Sequence, residues 1–313
     1  MCESCASNYP RCERCGVLVE GELIDGWCKS CYDDAKWEGD GERYDYHDWD
    51  CCWNYYNDDG SVTFKPLPDT IYMGTELEID TSHNMSTATT CSGLDRHLGG
   101  LVHFERDGSL SNRGIEIISM PMTLKKHMEY AGEFKSAFDY VTNRNYYCDN
   151  HTGLHVHVST SMLNVREHKR LLYILDKFRS EVVKLSRRTS SYALYHRIQS
   201  AVGKGDWEDF KPTGADLDEY LEWIQRKAGH GIYLNYNGYP NQIEFRMFGG
   251  TLDITTYIAS IQFVHRCIES VQCYSLDELR EMSFNDVFYG KYKELDELID
   301  KTKDLVVREC SVW

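Results

Sequence analysis

No stretch of this sequence approaches the roughly 18 to 20 consecutive apolar residues that cross a bilayer, and its first thirty residues lack the apolar run of a secretory signal. Both absences point to a protein made and kept in the cytosol, away from membranes. Basic charge is scarce: 34 Lys and Arg face 50 Asp and Glu, and the formal net charge of -16 argues against non-specific binding to nucleic acid. Internal repeats of the solenoid kind are absent. Wholesale disorder is excluded, because 42% hydrophobic and 13% aromatic residues offer enough apolar surface to offset the ordering entropy. A chain of 313 residues suits one large core with a small appendage, or two modest domains.

The acid is uneven. Residues 1–69 carry six Lys and Arg against sixteen Asp and Glu, so most of the excess negative charge lies there. Within that stretch, Asp33 to Gly60 holds ten acidic residues, two basic ones and seven aromatics without helical or strand periodicity. It reads as an acidic linker over residues 33–69, with more aromatic side chains than a solvated tether needs.

The thirteen cysteines are an odd number, and six of them fall in the first 31 residues as CxxC pairs. Cys12, Cys15, Cys28 and Cys31 have the spacing of a zinc ribbon or treble-clef knuckle, in which four thiolates share one tetrahedral Zn²⁺. Gly16 suits the knuckle turn, and a hairpin over residues 17–24 brings the second pair back to the first. A module of about 32 residues is too small to build its own core, so this zinc reads as a structural staple over residues 1–32. Cys2 and Cys5 admit three readings: a replicate half-knuckle, a second metal shared with Cys51 and Cys52, or free thiols. Cys91, Cys148, Cys267 and Cys310 show no pairing logic.

From residue 70 onward the pattern turns to alternation. Short strands are expected at 71–81, 102–106, 114–119, 154–160, 231–236 and 242–248, and helices at 124–141, 164–188, 216–227, 255–274 and 292–307. That mixture predicts an α+β domain on a largely antiparallel sheet.

In four of the strands one face is apolar and the other carries metal-type or phosphate-type groups. Glu76, Glu78 and Asp80 alternate with Leu77 and Ile79, so the carboxylates form a cation platform. Glu116 is the single charge in an apolar strand, and a lone Glu there is either at a rim or paired with a cation. His155 and His157 lie opposite Leu154, Val156 and Val158, which suits a metal-facing or phosphate-facing role. Glu244 and Arg246 share a face and, taken alone, read equally well as a salt bridge. Arg187 and Arg188 end the long helix as a candidate anion clamp, although a helix C-terminus favours cations in any case. Tyr233 and Asn235 alternate ahead of Glu244; either nucleotide contact or hairpin packing fits them.

Gly-Thr-Glu-Leu-Glu at 74–78, Asp-Gly-Ser-Leu at 107–110 with Gly-Ile-Glu-Ile-Ile-Ser at 114–119, Gly-Leu-His-Val-His-Val-Ser at 153–159 and Glu-Phe-Arg-Met-Phe at 244–248 occur in one order. Together they resemble the amidoligase family of the glutamine synthetase and glutamate–cysteine ligase superfamily. The resemblance spans residues 73–253 and leaves out the cysteine module and the acidic tract. The family's histidine motif often follows Cys-Gly, whereas here Thr152 precedes Gly153; no ligand is lost by that change.

The resemblance implies a catalytic domain over residues 70–313 with a glutamine synthetase-like funnel and flanking helices. It implies an ATP-dependent carboxylate–amine ligase. A carboxylate attacks the γ-phosphate of ATP, and an amine then displaces phosphate from the acyl phosphate. The substrates would be an amino acid, peptide or protein carrying the carboxylate, and an amine acceptor. Glu76, Glu78, Glu116 and Glu244 would hold Mg²⁺ or Mn²⁺. His155 and His157 would stand by the phosphates or complete a metal shell, and Arg246 would grip the transferred phosphate or the substrate carboxylate. Arg188, Tyr233 and Asn235 would contact the nucleotide. Two readings compete with the ligase: a zinc-knuckle adaptor with an inactive ligase-like domain, and a metal-dependent amide hydrolase.

Overall fold

The structure, a computed structural model, describes residues 10, 54–63, 65–160, 162–188, 233–236 and 242–305. These residues divide into two compact units. The first runs to Thr152 and takes back Gly250–Ile254; the second holds Gly153–Gly249 and continues from Thr255. Among the described residues no helix is long and apolar enough to cross a membrane.

The first unit opens with a small antiparallel ribbon, β1 (Tyr55–Tyr56) and β2 (Val62–Thr63). Its turn is closed by the Asn57 amide donating to the Ser61 carbonyl at 2.9 Å, with Gly60 at φ 84°. The ribbon occupies the end of the stretch read above as a linker. Its strands are two residues long, too short to leave an alternation in the sequence. It docks on the same unit: the Tyr56 amide donates to the Pro121 carbonyl at 3.0 Å, and the Tyr55 and Tyr72 rings meet edge-on at 5.0 Å. Aromatic content in this tract therefore serves packing, at least from Asn54 onward.

Then follow β3 (Met73–Ile79), α1 (Thr87–Leu98), β4 (Val102–Glu105), β5 (Ile115–Ser119), α2 (Leu124–Glu129) and α3 (Ala131–Thr142). The strands pair antiparallel in the order β4–β5–β3. Leu77, Ile79, Ile115 and Ile117 alternate onto one apolar face and are all buried. Helix α1 went unforeseen because Thr and Ser fill its first turns, and these residues have poor helix propensity. Packing overrides that weakness. Ser86 caps the start, Gly99 ends the helix in the left-handed region at φ 52°, and Cys91, Leu94 and Leu98 bury one stripe. The helix packs on α3, where Gly93 leaves the room taken by the Tyr140 ring. The single helix expected at 124–141 is broken at Tyr130, whose φ of -90° and ψ of 7° divide α2 from α3.

The second unit contains β6 (Gly153–Ser159), α4 (Val165–Lys177), α5 (Arg179–Ser186), β7 (Leu234–Asn235), β8 (Gln242–Gly249), α6 (Ile254–Cys273), α7 (Leu276–Glu281), α8 (Phe284–Phe288) and α9 (Lys293–Thr302). Its strands pair antiparallel in the order β6–β8–β7. Leu154, Val156 and Val158 lie opposite Phe248, Phe245 and Ile243, all fully buried. Between Leu154 and Val156 the register shifts, because β8 spends one extra residue there. The helix expected at 164–188 is two helices divided at Phe178, whose ring meets Phe284 and Phe288 at 5.7 and 6.1 Å.

Helices α7 and α8 were not expected, yet each opens on a legible capping box, Ser275 with Glu278 and Ser283 with Asp286. The Lys177 ammonium donates to the carbonyls of Leu279, Arg280 and Met282 at 2.6 to 2.8 Å, satisfying groups at the end of α7. The helix expected at 216–227 lies outside the described residues. Cys91, Cys148, Cys267 and Cys273 form no disulfide among the described residues, and Cys310 lies outside them.

Two buried histidines make part of the stability acid-labile. His127, in α2, donates from Nε2 to the Met73 carbonyl at 2.8 Å, and burial pushes its pKa down to about 4; burial does the same to His168. A lowered His pKa means that the unfolded chain takes up the proton first, so stability falls as pH drops from about 6.5 towards 4. His127→Gln keeps a donor and removes the titration. From pH 7 to pH 5 the stability difference between variant and wild type should move by about 2 kcal/mol in the variant's favour, read from urea midpoints. A difference independent of pH would show that His127 does not titrate with folding.

Candidate functional site

In the first unit the register brings carboxylates together that the sequence keeps apart. Glu78 lies directly opposite Glu116, and Glu116 directly opposite Glu105, so three carboxylates form one row across β3, β5 and β4. All three residues are buried. Like charges placed opposite one another in a sheet destabilise it, and burial enlarges the penalty. Glu76 lies on the same face, two residues along β3, and His103 shares its row across Ile118. His103 Nε2 lies 3.2 Å from Glu105 Oε1, while burial holds the His103 pKa below its usual value.

Asp107 joins this group from the turn after β4. Its carboxylate accepts from the Ser109 amide at 2.6 Å, which fixes the turn. Asp80, expected on the cation face, is instead taken up by the Ser111 amide at 2.9 Å and ties this loop to the end of β3. Glu78, Asp107 and Glu116 each offer an oxygen, and those atoms lie within 4.8 Å of one another.

Glu116 is the decisive member. It is 4% exposed, and its carboxylate makes no hydrogen bond or ion pair among the described residues. Burial first, then the charges of Glu76, Asp107, Glu78 and Glu105, push its pKa up to about 10. An anionic Glu116 is tolerable only with a cation beside it, and a donor set made wholly of carboxylate oxygens suits a hard divalent ion. The residues therefore fit Mg²⁺ or Mn²⁺.

The second unit carries a polar network centred on Glu244. His157, Glu244 and Asn235 are cross-strand neighbours on β6, β8 and β7. Glu244 Oε1 lies 2.5 Å from Arg246 Nη1, 3.3 Å from His155 Nδ1 and 4.0 Å from His157 Nε2, while Oε2 accepts from Asn235 Nδ2 at 2.8 Å. His155 is almost wholly buried, whereas the His157 side chain is 20% exposed. Arg188, expected to clamp an anion, lies with Nη1 2.9 Å from the Arg246 carbonyl and 3.3 Å from His155 Nε2. Tyr233 is buried, and its carbonyl accepts from the Arg246 amide at 2.8 Å, which anchors β7 to β8.

Of the candidates read from sequence, Glu76, Glu78 and Glu116 thus share one face of the first unit. His155, His157, Arg188, Asn235, Glu244 and Arg246 form one neighbourhood in the second. Cys12, Cys15, Cys28 and Cys31 lie outside the described residues. No protein-family model and no curated protein matches this chain.

Sequence reasoning missed Asp107, Glu105 and His103. The alternation His103-Phe104-Glu105 was a visible signal that these two polar groups share a face. Asp107 sits in a turn, where alternation says nothing about direction.

Proposed function

We propose that this chain is an ATP-dependent carboxylate–amine ligase that forms an amide bond through an acyl phosphate. Glu78, Asp107 and Glu116, with Glu76 beside them, hold Mg²⁺ or Mn²⁺. The observation that carries the reading is the buried carboxylate of Glu116, with no hydrogen bond or ion pair among the described residues, at the centre of an acidic row. A divalent ion bound there supplies charge neutralisation for nucleotide phosphates. Arg246 offers a planar fork to the phosphoryl group or to the substrate carboxylate, and the more exposed His157 offers a ring nitrogen beside it. Glu244, carried over from the resemblance as a further ligand, already accepts from Arg246 and Asn235 and neighbours His155. Its two oxygens offer about four acceptor positions, so one remains. The glutamine synthetase-like funnel, the cytoplasmic setting and the amino-acid, peptide or protein substrates belong to the same proposal.

The test is mass spectrometry of the full-length protein incubated with ATP, Mg²⁺ and a mixture of amino acids, peptides and cell extract. A product at the summed mass of two components less water, formed in step with ADP and phosphate, is the expected result. Amide cleavage without ATP consumption would make the protein a hydrolase, and no turnover at all would leave an adaptor.

The four-thiolate zinc site at Cys12, Cys15, Cys28 and Cys31 is proposed alongside, as a structural module. Elemental analysis of the purified chain should give at least one zinc per molecule, and Cys12→Ser with Cys15→Ser should lower that count by one. An unchanged count would remove these thiols from the metal.

A further inference from the structure

We infer that Arg188 is a positioning residue that fixes His155 as its Nδ1–H tautomer and, through that ring, orients the carboxylate of Glu244. A guanidinium has five N–H donors and no acceptor. Arg188 Nη1 lies 3.3 Å from His155 Nε2 while also donating to the Arg246 carbonyl at 2.9 Å. The contact is attractive only if Nε2 presents its lone pair. The ring proton then belongs to Nδ1, which lies 3.3 Å from Glu244 Oε1 and donates to it.

A second feature of the same unit makes room for the contact. A Cβ on Gly153 would lie 2.6 Å from Arg188 Nη1 and 2.8 Å from His155 Nε2, so no larger residue fits while the two groups stay in place. Arg188 is delivered by the end of α5. Arg187 takes the left-handed conformation at φ 58° and donates from Nη2 to the Gly249 carbonyl at 3.0 Å, which turns the chain onto β8. Both ring nitrogens of His155 thus face groups of the same unit, Nε2 towards Arg188 and Nδ1 towards Glu244.

The tautomer follows from geometry alone; its importance for turnover rests on the ligase reading. The experiment is long-range ¹H–¹⁵N correlation on histidine-labelled full-length protein, with His155 identified by the signal that His155→Gln removes. Wild type should show a protonated Nδ1 and a bare Nε2. Arg188→Met should move the proton to Nε2, the ordinary preference in water, and Arg188→Lys, which keeps a donor, should restore the wild-type pattern.

An Nε2–H ring in wild type, or an Nδ1–H ring that survives Arg188→Met, overturns the assignment. If the Met variant does not fold, Gly153→Ala asks the same question by displacing the guanidinium. Once turnover is measurable, Arg188→Met should lower kcat by about ten- to a hundredfold with little change in KM for ATP. An unchanged kcat would overturn the role in turnover. A protein with the Nδ1–H tautomer that consumes no ATP would sink the ligase reading and leave the assignment standing.

Discussion

Glu116→Gln should raise the melting temperature of the metal-free protein and abolish its response to Mg²⁺. Burial and four neighbouring carboxylates push the Glu116 pKa from about 4.5 up to about 10. For an acid whose folded pKa is raised, the folded state binds more protons than the unfolded chain between those two values. Stability therefore declines as pH rises through that window. One unit of pKa shift corresponds to about 1.4 kcal/mol, so by pH 7 the accumulated cost is about 3 kcal/mol. Glutamine has nearly the same shape, carries no charge, and supplies an N–H donor to the neighbouring carboxylates.

In EDTA at pH 8 the variant should be the more stable by about 4 to 5 kcal/mol, and the gap should close towards pH 5. Millimolar Mg²⁺ should raise the wild-type melting temperature through binding to the folded state and leave the variant where it was. The loss of the cation should also cost the variant its ATP turnover. A wild type indifferent to both pH and Mg²⁺ in this range would show that the carboxylate row is not a cation site.

Arg246→Lys should separate charge from geometry. In the structure Arg246 Nη1 lies 2.5 Å from Glu244 Oε1, and Glu244 is buried, so lysine can retain the pairing and much of the stability. What lysine lacks is the planar fork that holds two oxygens of a phosphoryl or carboxylate group at once. If Arg246 supplies that fork in the transition state, kcat should fall by an amount equivalent to about 2 to 4 kcal/mol, roughly 30- to 1,000-fold. The melting temperature should move by only a few degrees. If Arg246 serves only to neutralise Glu244, the lysine variant should turn over at the wild-type rate. Measuring kcat and melting temperature on this one variant distinguishes the two.

How much of this was legible follows from what alternation encodes. Glu76, Glu78 and Glu116 were recognisable because each interrupts or alternates with an apolar strand face, and that periodicity is local to a few residues. The pairing of Glu78 with Glu116 and of Glu116 with Glu105 is a matter of register, which depends on partners distant in the chain. The same holds for the bulge after Phe245 and for Arg188 beside His155, since neither leaves a local pattern. The break at Phe178 is set by packing against Phe284 and Phe288, and no residue at the break is a helix breaker in its own right. Short elements escaped for a simpler reason: a two-residue strand or a five-residue helix holds too few positions to show a period.

The first unit is not contiguous in the chain. Its last piece, Gly250–Ile254, is separated from Thr152 by the whole of the Gly153–Gly249 segment, yet the Gly250 amide donates to the Thr152 carbonyl at 3.0 Å. During synthesis, at about 5 to 20 residues per second, everything up to Thr152 therefore leaves the ribosome several seconds before the segment that completes it. A nascent chain stalled before residue 250 should be more open to protease in its first unit than one stalled beyond residue 290. Expression of residues 54–152 alone should give an incomplete unit that regains protection when Gly250–Ile254 is grafted onto its end.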